Sequence, residues 1–277
     1  MKKSLLTTLL MSAALLSGSA WATGNQVNVD FQTAKKELLK IYKDHPTTIY
    51  CGYDFNPKTK EVKLGQGFVT PSQKERAHRV EWEHVVPAEN FGRSFSEWRE
   101  GAPVCQEKGK RFKGRHCAEI ASRDYALMQS DLYNLFPSVG AVNALRLNYR
   151  YDLLPEQKPT FGTCPMKIDA ANKRAEPPAN ARGEIARAML YMAQAWPNHY
   201  RLSDKQGQLV EAWNKANPVT DWECLRAARI EAFQGNANPF VKNVCVAEHK
   251  YPKVPAHVYR QKAPKGNKAK YPAYQLL

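Results

Sequence analysis

Six cysteines stand at Cys51, Cys105, Cys117, Cys164, Cys224 and Cys245, behind a first segment with the form of an export leader. Together these two features constrain the fold more than anything else in the 277 residues. Lys2 and Lys3 precede an apolar run from Leu5 to Leu16, and small residues lead on to Ala20-Trp21-Ala22. Residues 1–22 therefore read as a signal peptide with an A-x-A cleavage site, and the mature chain is expected to begin near Thr23. The apolar run is too short to span a bilayer, so no membrane anchor is expected. Export to the periplasm or the medium places the cysteines in an oxidising compartment, where an even number reads as disulfides. Loop closure costs least between near neighbours, which favours Cys105–Cys117 and Cys224–Cys245 and leaves Cys51–Cys164 as the long bridge. Zinc is the rival reading, but no Cys-x-x-Cys spacing supports it.

Charge narrows the partners. Lys and Arg number 41 against 26 Asp and Glu, a formal net charge of +15. An excess of that size points to a polyanion: nucleic acid, an anionic membrane surface or an acidic polysaccharide. With 43% hydrophobic residues the chain has ample material for a packed core. Apolar residues at helical spacing predict helices over 30–42, 88–99, 121–135, 181–196 and 204–216, with Pro137 and Gly140 ending the third. Residues 49–53 and 61–69 read as short strands, and Arg79 to Val86 as a β-rich run stopped by Pro87. Residues 101–114 form a Lys/Gly-rich loop inside the short Cys105–Cys117 bridge, and Asn238-Pro239 reads as a turn. Lys250 to Leu277 holds seven Lys or Arg, four Pro and no acid, the composition of a flexible basic arm. The expected architecture is α+β: a leader at 1–22, one mixed domain over 23–249 stapled by disulfides, and a tail at 250–277.

Among seven histidines, His84 stands out through its setting, Glu81-Trp82-Glu83-His84-Val85-Val86-Pro87. An acid beside a histidine places a metal ligand next to a base. In a regular strand, however, neighbouring side chains point to opposite faces. Glu83 and His84 serve one site only if the strand ends or twists there, as Pro87 permits.

Glu81 to Ala88, with Phe91-Gly92 after it, closely resembles the bacterial endonuclease I family of periplasmic and secreted nucleases. The likeness continues through Asp131-Leu132-Tyr133-Asn134-Leu135, Pro137-Ser138-Val139-Gly140, and Val142-Asn143 with Arg146 and Asn148. It resumes at Ala181-Arg182-Gly183, Ile185-Ala186-Arg187, Ala212-Trp213-Asn214-Lys215 and Trp222-Glu223-Cys224. It closes with Asn238-Pro239-Phe240-Val241 and Cys245. The resemblance implies a ββα-metal (His-Me finger) site in which His84 is the general base and Glu83 and Asn134 bind one divalent metal, most often Mg²⁺. It also implies an arginine that steadies phosphate charge ahead of the second cysteine of the short bridge. Arg115 is the nearest match, with Arg111 as a second candidate because the loop here is longer. Arg146, Arg182 and Arg187 are candidate phosphate contacts or, equally, structural arginines. Around Val142-Asn143 this chain has Ala141, Ala144 and Leu145 where the family often has a Glu and a Gly-Asp pair, which weakens any role assigned to that loop.

The implied chemistry is coherent. A neutral imidazole, with an ordinary pKa of about 6.5, accepts a proton from water near neutral pH. Mg²⁺ takes hard oxygen ligands and keeps most of its waters. Hydrolysis opposite the 3′-oxygen leaves 5′-phosphate ends. The expected partner is DNA, with RNA a further candidate, bound by a monomer through phosphates rather than base edges. A noncatalytic polyanion-binding protein is the rival and predicts binding without cleavage. A wall-degrading hydrolase would need paired catalytic carboxylates, and no motif nominates them.

Overall fold

The computed structural model describes residues 23–258, so the leader expected at 1–22 and the tail beyond Val258 lie outside the described residues. Helix α1 (Phe31–Ile41) begins where Asp30 caps it, its carboxylate accepting from the amides of Gln32 and Thr33, and it buries Ala34, Leu38 and Ile41. A short helix α2 (Lys74–Ala77) then leads into strand β1 (Val80–His84). Helices α3 (Ala88–Gly92) and α4 (Ser96–Arg99) follow, then a small hairpin of β2 (Gln106–Glu107) and β3 (Lys110–Arg111). Helices α5 (Arg115–Ala121) and α6 (Arg123–Gln129) bring the chain to strand β4 (Leu135–Val139) and helix α7 (Gly140–Arg146).

Strands β1 and β4 pair antiparallel, from Val80 opposite Val139 to His84 opposite Leu135, and α7 starts directly after β4. Gly140 is required at that junction: its amide donates to the carbonyl of Arg79, and any Cβ there would collide with the carbonyl oxygen of Arg76. A second sheet, ordered β5-β7-β6, combines β5 (Arg150–Tyr151), β6 (Lys167–Asp169) and β7 (Arg174–Glu176). Four helices complete the fold: α8 (Arg182–Ala195), α9 (Asp204–Ala216), α10 (Asp221–Gln234) and α11 (Pro239–Ala247). One hydrophobic core runs through all of these layers, from Leu38 through Phe91 and Leu135 to Ile185 and Ile230. The architecture is α+β, stapled by Cys51–Cys164, Cys105–Cys117 and Cys224–Cys245.

Several expectations need correction. Residues 49–53 and 61–69 are turns with isolated bridges, among them Phe55 to Val62 and Glu61 to Arg79, because the chain folds back at Gly52, whose amide bonds to the Thr48 carbonyl. The helix expected over 88–99 divides at Phe95, which is extended (φ −89, ψ 134). The helix expected over 121–135 is broken twice. Ser122 is extended and caps α6 by accepting from the Tyr125 amide, and the chain leaves helix at Ser130. Pro137 sits inside β4 instead of ending a helix; a two-stranded ribbon leaves one side unpaired, so its missing N–H is tolerated. Asn238 and Pro239 are the N-cap and first residue of α11 rather than a turn. Helix α10 escapes periodicity because its buried face includes Glu223, Arg226 and Arg229. The start of the tail keeps contact with the domain: Tyr251 donates to Glu231 and packs, with Val254, against the core.

Candidate active site

His84 ends β1, and beyond it Val85 and Val86 bend away. The strand end opens a cavity of about 520 Å³ lined by Glu83, His84, Arg115, Asn143, Arg146 and Leu147 among others. Ending the strand at the histidine is how two adjacent side chains come to share one cavity. The His84 ring is 8% exposed and packs on Phe31, with centroids 5.2 Å apart. Its Nε2 lies 2.9 Å from the Gln129 carbonyl oxygen. A carbonyl only accepts, so Nε2 carries the hydrogen and Nδ1 is the bare nitrogen. Burial, reinforced by the nearby Arg115 charge, pushes the imidazole pKa down to about 3. The ring is therefore neutral throughout the physiological range.

Glu83 is 2% exposed. Its Oε1 accepts from the Tyr50 hydroxyl at 2.7 Å and pairs with Arg146 Nη1 at 2.9 Å. Burial pushes this carboxyl above its ordinary range, and Arg146 pulls it partly back. Tyr50 is itself placed by its neighbour Cys51, bridged to Cys164. Arg146, at 1% exposed, is a brace rather than an open phosphate contact: its guanidinium donates to the carbonyls of His84 at 2.9 Å and Val85 at 2.7 Å. It fixes the bend that creates the cavity.

Arg115, the first residue of α5, is exposed beside His84 and anchored through Nε to Gln129 Oε1 at 3.0 Å. The Cys105–Cys117 bridge holds the helix turn that presents it. Arg111 lies on β3, exposed and outside the residues lining this cavity. Gln129 was not legible as a site residue: its backbone carbonyl orients His84 while its side chain anchors Arg115.

Asn134 stands outside the residues that line this cavity. It is 0% exposed, its Oδ1 accepting from the Val86 amide at 2.7 Å and its Nδ2 donating to the Val86 carbonyl at 2.9 Å. Both ends of the amide clamp the chain after His84. Asn143 on α7 lines the cavity instead, with Nδ2 donating to Glu81 Oε2 at 2.9 Å. Glu81 is held by Arg76 and Arg79 as well; burial opposes its ionisation, but the hydrogen bonds from Arg76 and Asn143 win and hold its carboxyl below the ordinary value. The packing of α7 against β1 is what brings Asn143 to the same cavity as His84.

The other two arginines lie elsewhere. Arg187 is buried on α8, paired with Glu223 at 2.7 Å and donating to Asn214 and the Asn217 carbonyl. Half-buried Arg182 pairs with Glu176 at 2.7 Å. Both guanidiniums are committed within the fold. A second cavity of about 460 Å³ shares His84, Arg115 and Asn143 and continues past Lys35, Lys36, Lys60 and Arg76. Burial, then repulsion from Lys60 and Arg115, lowers the Lys35 pKa, the mark of cations crowded along one wall. A larger open hollow of about 860 Å³ between Lys43 and Lys63 contains no histidine. Among the described residues, no helix is long and apolar enough to cross a membrane, and no group of three or more His, Cys, Asp or Glu is arranged to hold a metal.

The sequence matches the Endonuclease I family model over residues 1–245. It is similar to an extracellular deoxyribonuclease of Aeromonas hydrophila, 38% identical over 240 residues, covering 85% of this chain and 96% of the relative. A periplasmic deoxyribonuclease of the same organism is 38% identical over 219 residues, covering 78% of this chain and 86% of its own length. An endonuclease-1 of Buchnera aphidicola subsp. Baizongia pistaciae is 38% identical over 221 residues, covering 78% of this chain and 84% of the relative.

Proposed function

The chain belongs to the Endonuclease I family and is an endonuclease, and from that premise we propose that it hydrolyses DNA phosphodiesters without sequence preference, using His84 as general base and one divalent cation. The observation that carries this reading is the contact of His84 Nε2 with the Gln129 carbonyl, which leaves Nδ1 as the bare nitrogen of a neutral ring in a residue that lines a cavity with a basic wall.

The residues present fit a hard cation. Glu83 supplies a carboxylate whose buried charge Arg146 compensates only in part, so a cation would stabilise its ionised form. Asn143 supplies an amide whose nitrogen is held by Glu81, leaving the oxygen as the donor. One carboxylate and one amide oxygen suit Mg²⁺, which retains waters; Asn134 takes no part. When bound, the cation supplies positive charge to the phosphate and to the departing 3′-oxygen. Nδ1 of His84 takes the proton from the attacking water. Arg115, steered by Gln129, presents its guanidinium to the phosphate as negative charge builds on it. Lys35, Lys36 and Lys60 hold neighbouring phosphates, which makes affinity fall with salt.

In the same reading residues 1–22 are a cleaved leader, 23–249 the nuclease domain and 250–277 a basic arm that adds affinity for long polyanions. The enzyme acts as a monomer in the periplasm or outside the cell, the locations named for the Aeromonas relatives. RNA offers the same scissile linkage and belongs in the test. The oxidised mature protein, incubated with plasmid DNA or RNA in Mg²⁺ or EDTA, is expected to cut DNA only with metal and to leave 5′-phosphate and 3′-hydroxyl ends. Retention of DNA without cutting, across several divalent metals, would replace this reading with the noncatalytic one.

A further inference from the structure

Arg146, Leu147, Asn148 and Tyr149 form a tight turn closed by the Tyr149 amide donating to the Arg146 carbonyl at 3.2 Å. Leu147 stands at φ 52, ψ −131, the first central position of a type II′ turn. Glycine usually fills that position, because a Cβ there crowds the adjoining backbone. Among the described residues other than glycine with positive φ, Leu147 is the one apolar side chain. It is also 57% exposed. A single exposed leucine is ordinary. A strained one on the rim of the active cavity carries two costs that no packing within the fold offsets, and such strain concentrates where a ligand is held.

The turn is pinned on both sides. The Arg146 guanidinium grips the carbonyls of His84 and Val85, and Asn148 donates to Glu89 Oε2 at 2.8 Å. Leu147 therefore stands at a fixed place in the lining of the cavity that Glu83, His84 and Asn143 share. Half-buried Trp98 and buried Ala88 line the same cavity, while Arg115 and the lysines of the adjoining cavity supply its charged side. A polynucleotide has the matching division, a charged spine with apolar base faces.

Resting on the nuclease reading, we propose that Leu147 is a specificity-determining lip that packs against the base of a nucleotide flanking the scissile phosphate. This contact favours polynucleotides over other phosphodiesters without selecting a sequence, since every base has an apolar face.

The test uses an oligonucleotide with phosphorothioate linkages everywhere except one cleavable phosphodiester, either fully based or abasic on both sides of that bond. Leu147→Ser is expected to lower kcat/KM on the based oligonucleotide about tenfold, mainly through KM, and Leu147→Met to stay within about twofold of wild type. On the abasic oligonucleotide the Leu147→Ser loss should shrink to below about twofold. Leu147→Gly should raise the melting temperature by about 2–4 °C as the turn relaxes. Equal Leu147→Ser losses on both oligonucleotides, no loss on either, or a Leu147→Met defect as large as that of Leu147→Ser would overturn the lip. A melting temperature lowered by Leu147→Gly would remove the strain on which it stands. A wild-type protein that cuts neither oligonucleotide in Mg²⁺ would overturn the nuclease reading itself, and the lip with it.

Discussion

Replacing Arg146 by methionine keeps most of the side chain's volume and removes its charge and donors. The substitution deletes bonds of 2.9 Å and 2.7 Å to the carbonyls of His84 and Val85 and the 2.9 Å pairing with Glu83. Glu83 then remains as a buried carboxylate held by Tyr50 alone. Breaking a buried pair from one side costs about 3–5 kcal/mol, because the surviving charge is left uncompensated. For a domain of this size that is a fall in Tm of roughly 6–20 °C. The effect also has a sign in pH. The Glu83 carboxyl already titrates above its ordinary value, and Arg146 is the main group restraining that rise. Without the arginine, the folded carboxyl holds its proton to still higher pH, so the folded state binds more protons than the unfolded state from about pH 4.5 upward. Stability of Arg146→Met relative to wild type therefore falls as pH rises past the wild-type carboxyl's own raised value, and the deficit is larger at pH 8 than at pH 5. Urea unfolding at both pH values, with disulfides intact, measures it. Adding Glu83→Gln should recover part of the loss, since no buried charge is then left unpaired. A deficit below about 1 kcal/mol, or one that does not change with pH, would refute the role of Arg146 as the brace and counter-ion of Glu83.

Three further outcomes follow from the same geometry. Asn134→Ala should cost about 1–3 kcal/mol, because both backbone groups of Val86 lose their partner, with cleavage by the folded fraction little changed, whereas Asn143→Ala, which deletes one hydrogen bond to Glu81, should stay folded and lose on the order of 10- to 100-fold in Mg²⁺-dependent cleavage; a folded Asn143→Ala that cuts normally beside a folded Asn134→Ala that does not would return the metal to Asn134. Gln129→Ala should lower kcat about tenfold with little change in KM, and its effect should largely vanish in an Arg115→Ala background, as coupled positions behave. Reduction of all three bridges should abolish activity, since Cys51–Cys164 seats Tyr50 against Glu83 and Cys105–Cys117 seats Arg115, each bridge contributing about 2–5 kcal/mol; full activity in a verified thiol form would contradict this.

What was legible in the sequence was local. Apolar residues at helical spacing over 30–42 and 181–196 anticipated α1 and α8. Loop closure anticipated all three cysteine pairs. What was not legible depends on tertiary pairing. Asn134 and Asn143 lie in one stretch and are the same residue type; only the docking of Asn134 on Val86, and of α7 behind β1, separates a clamp from a candidate ligand. Gln129 orients His84 through a carbonyl, which every residue possesses. Arg146 and Arg187 read equally as phosphate contacts or structural arginines, and only the fold shows that each is paired with a buried glutamate far from it in sequence. The strand problem at Glu83 and His84 resolved through a bend that Arg146 holds from 62 residues away.

The most direct test of the proposed chemistry is Mg²⁺-dependent plasmid cleavage by oxidised His84→Ala, with folding verified by Tm and far-UV circular dichroism. With His84 as the base, the folded variant should cut at least about 100-fold more slowly than wild type at neutral pH. A folded His84→Ala that cuts at the wild-type rate would contradict the assignment of the base and the reading of the cavity around it.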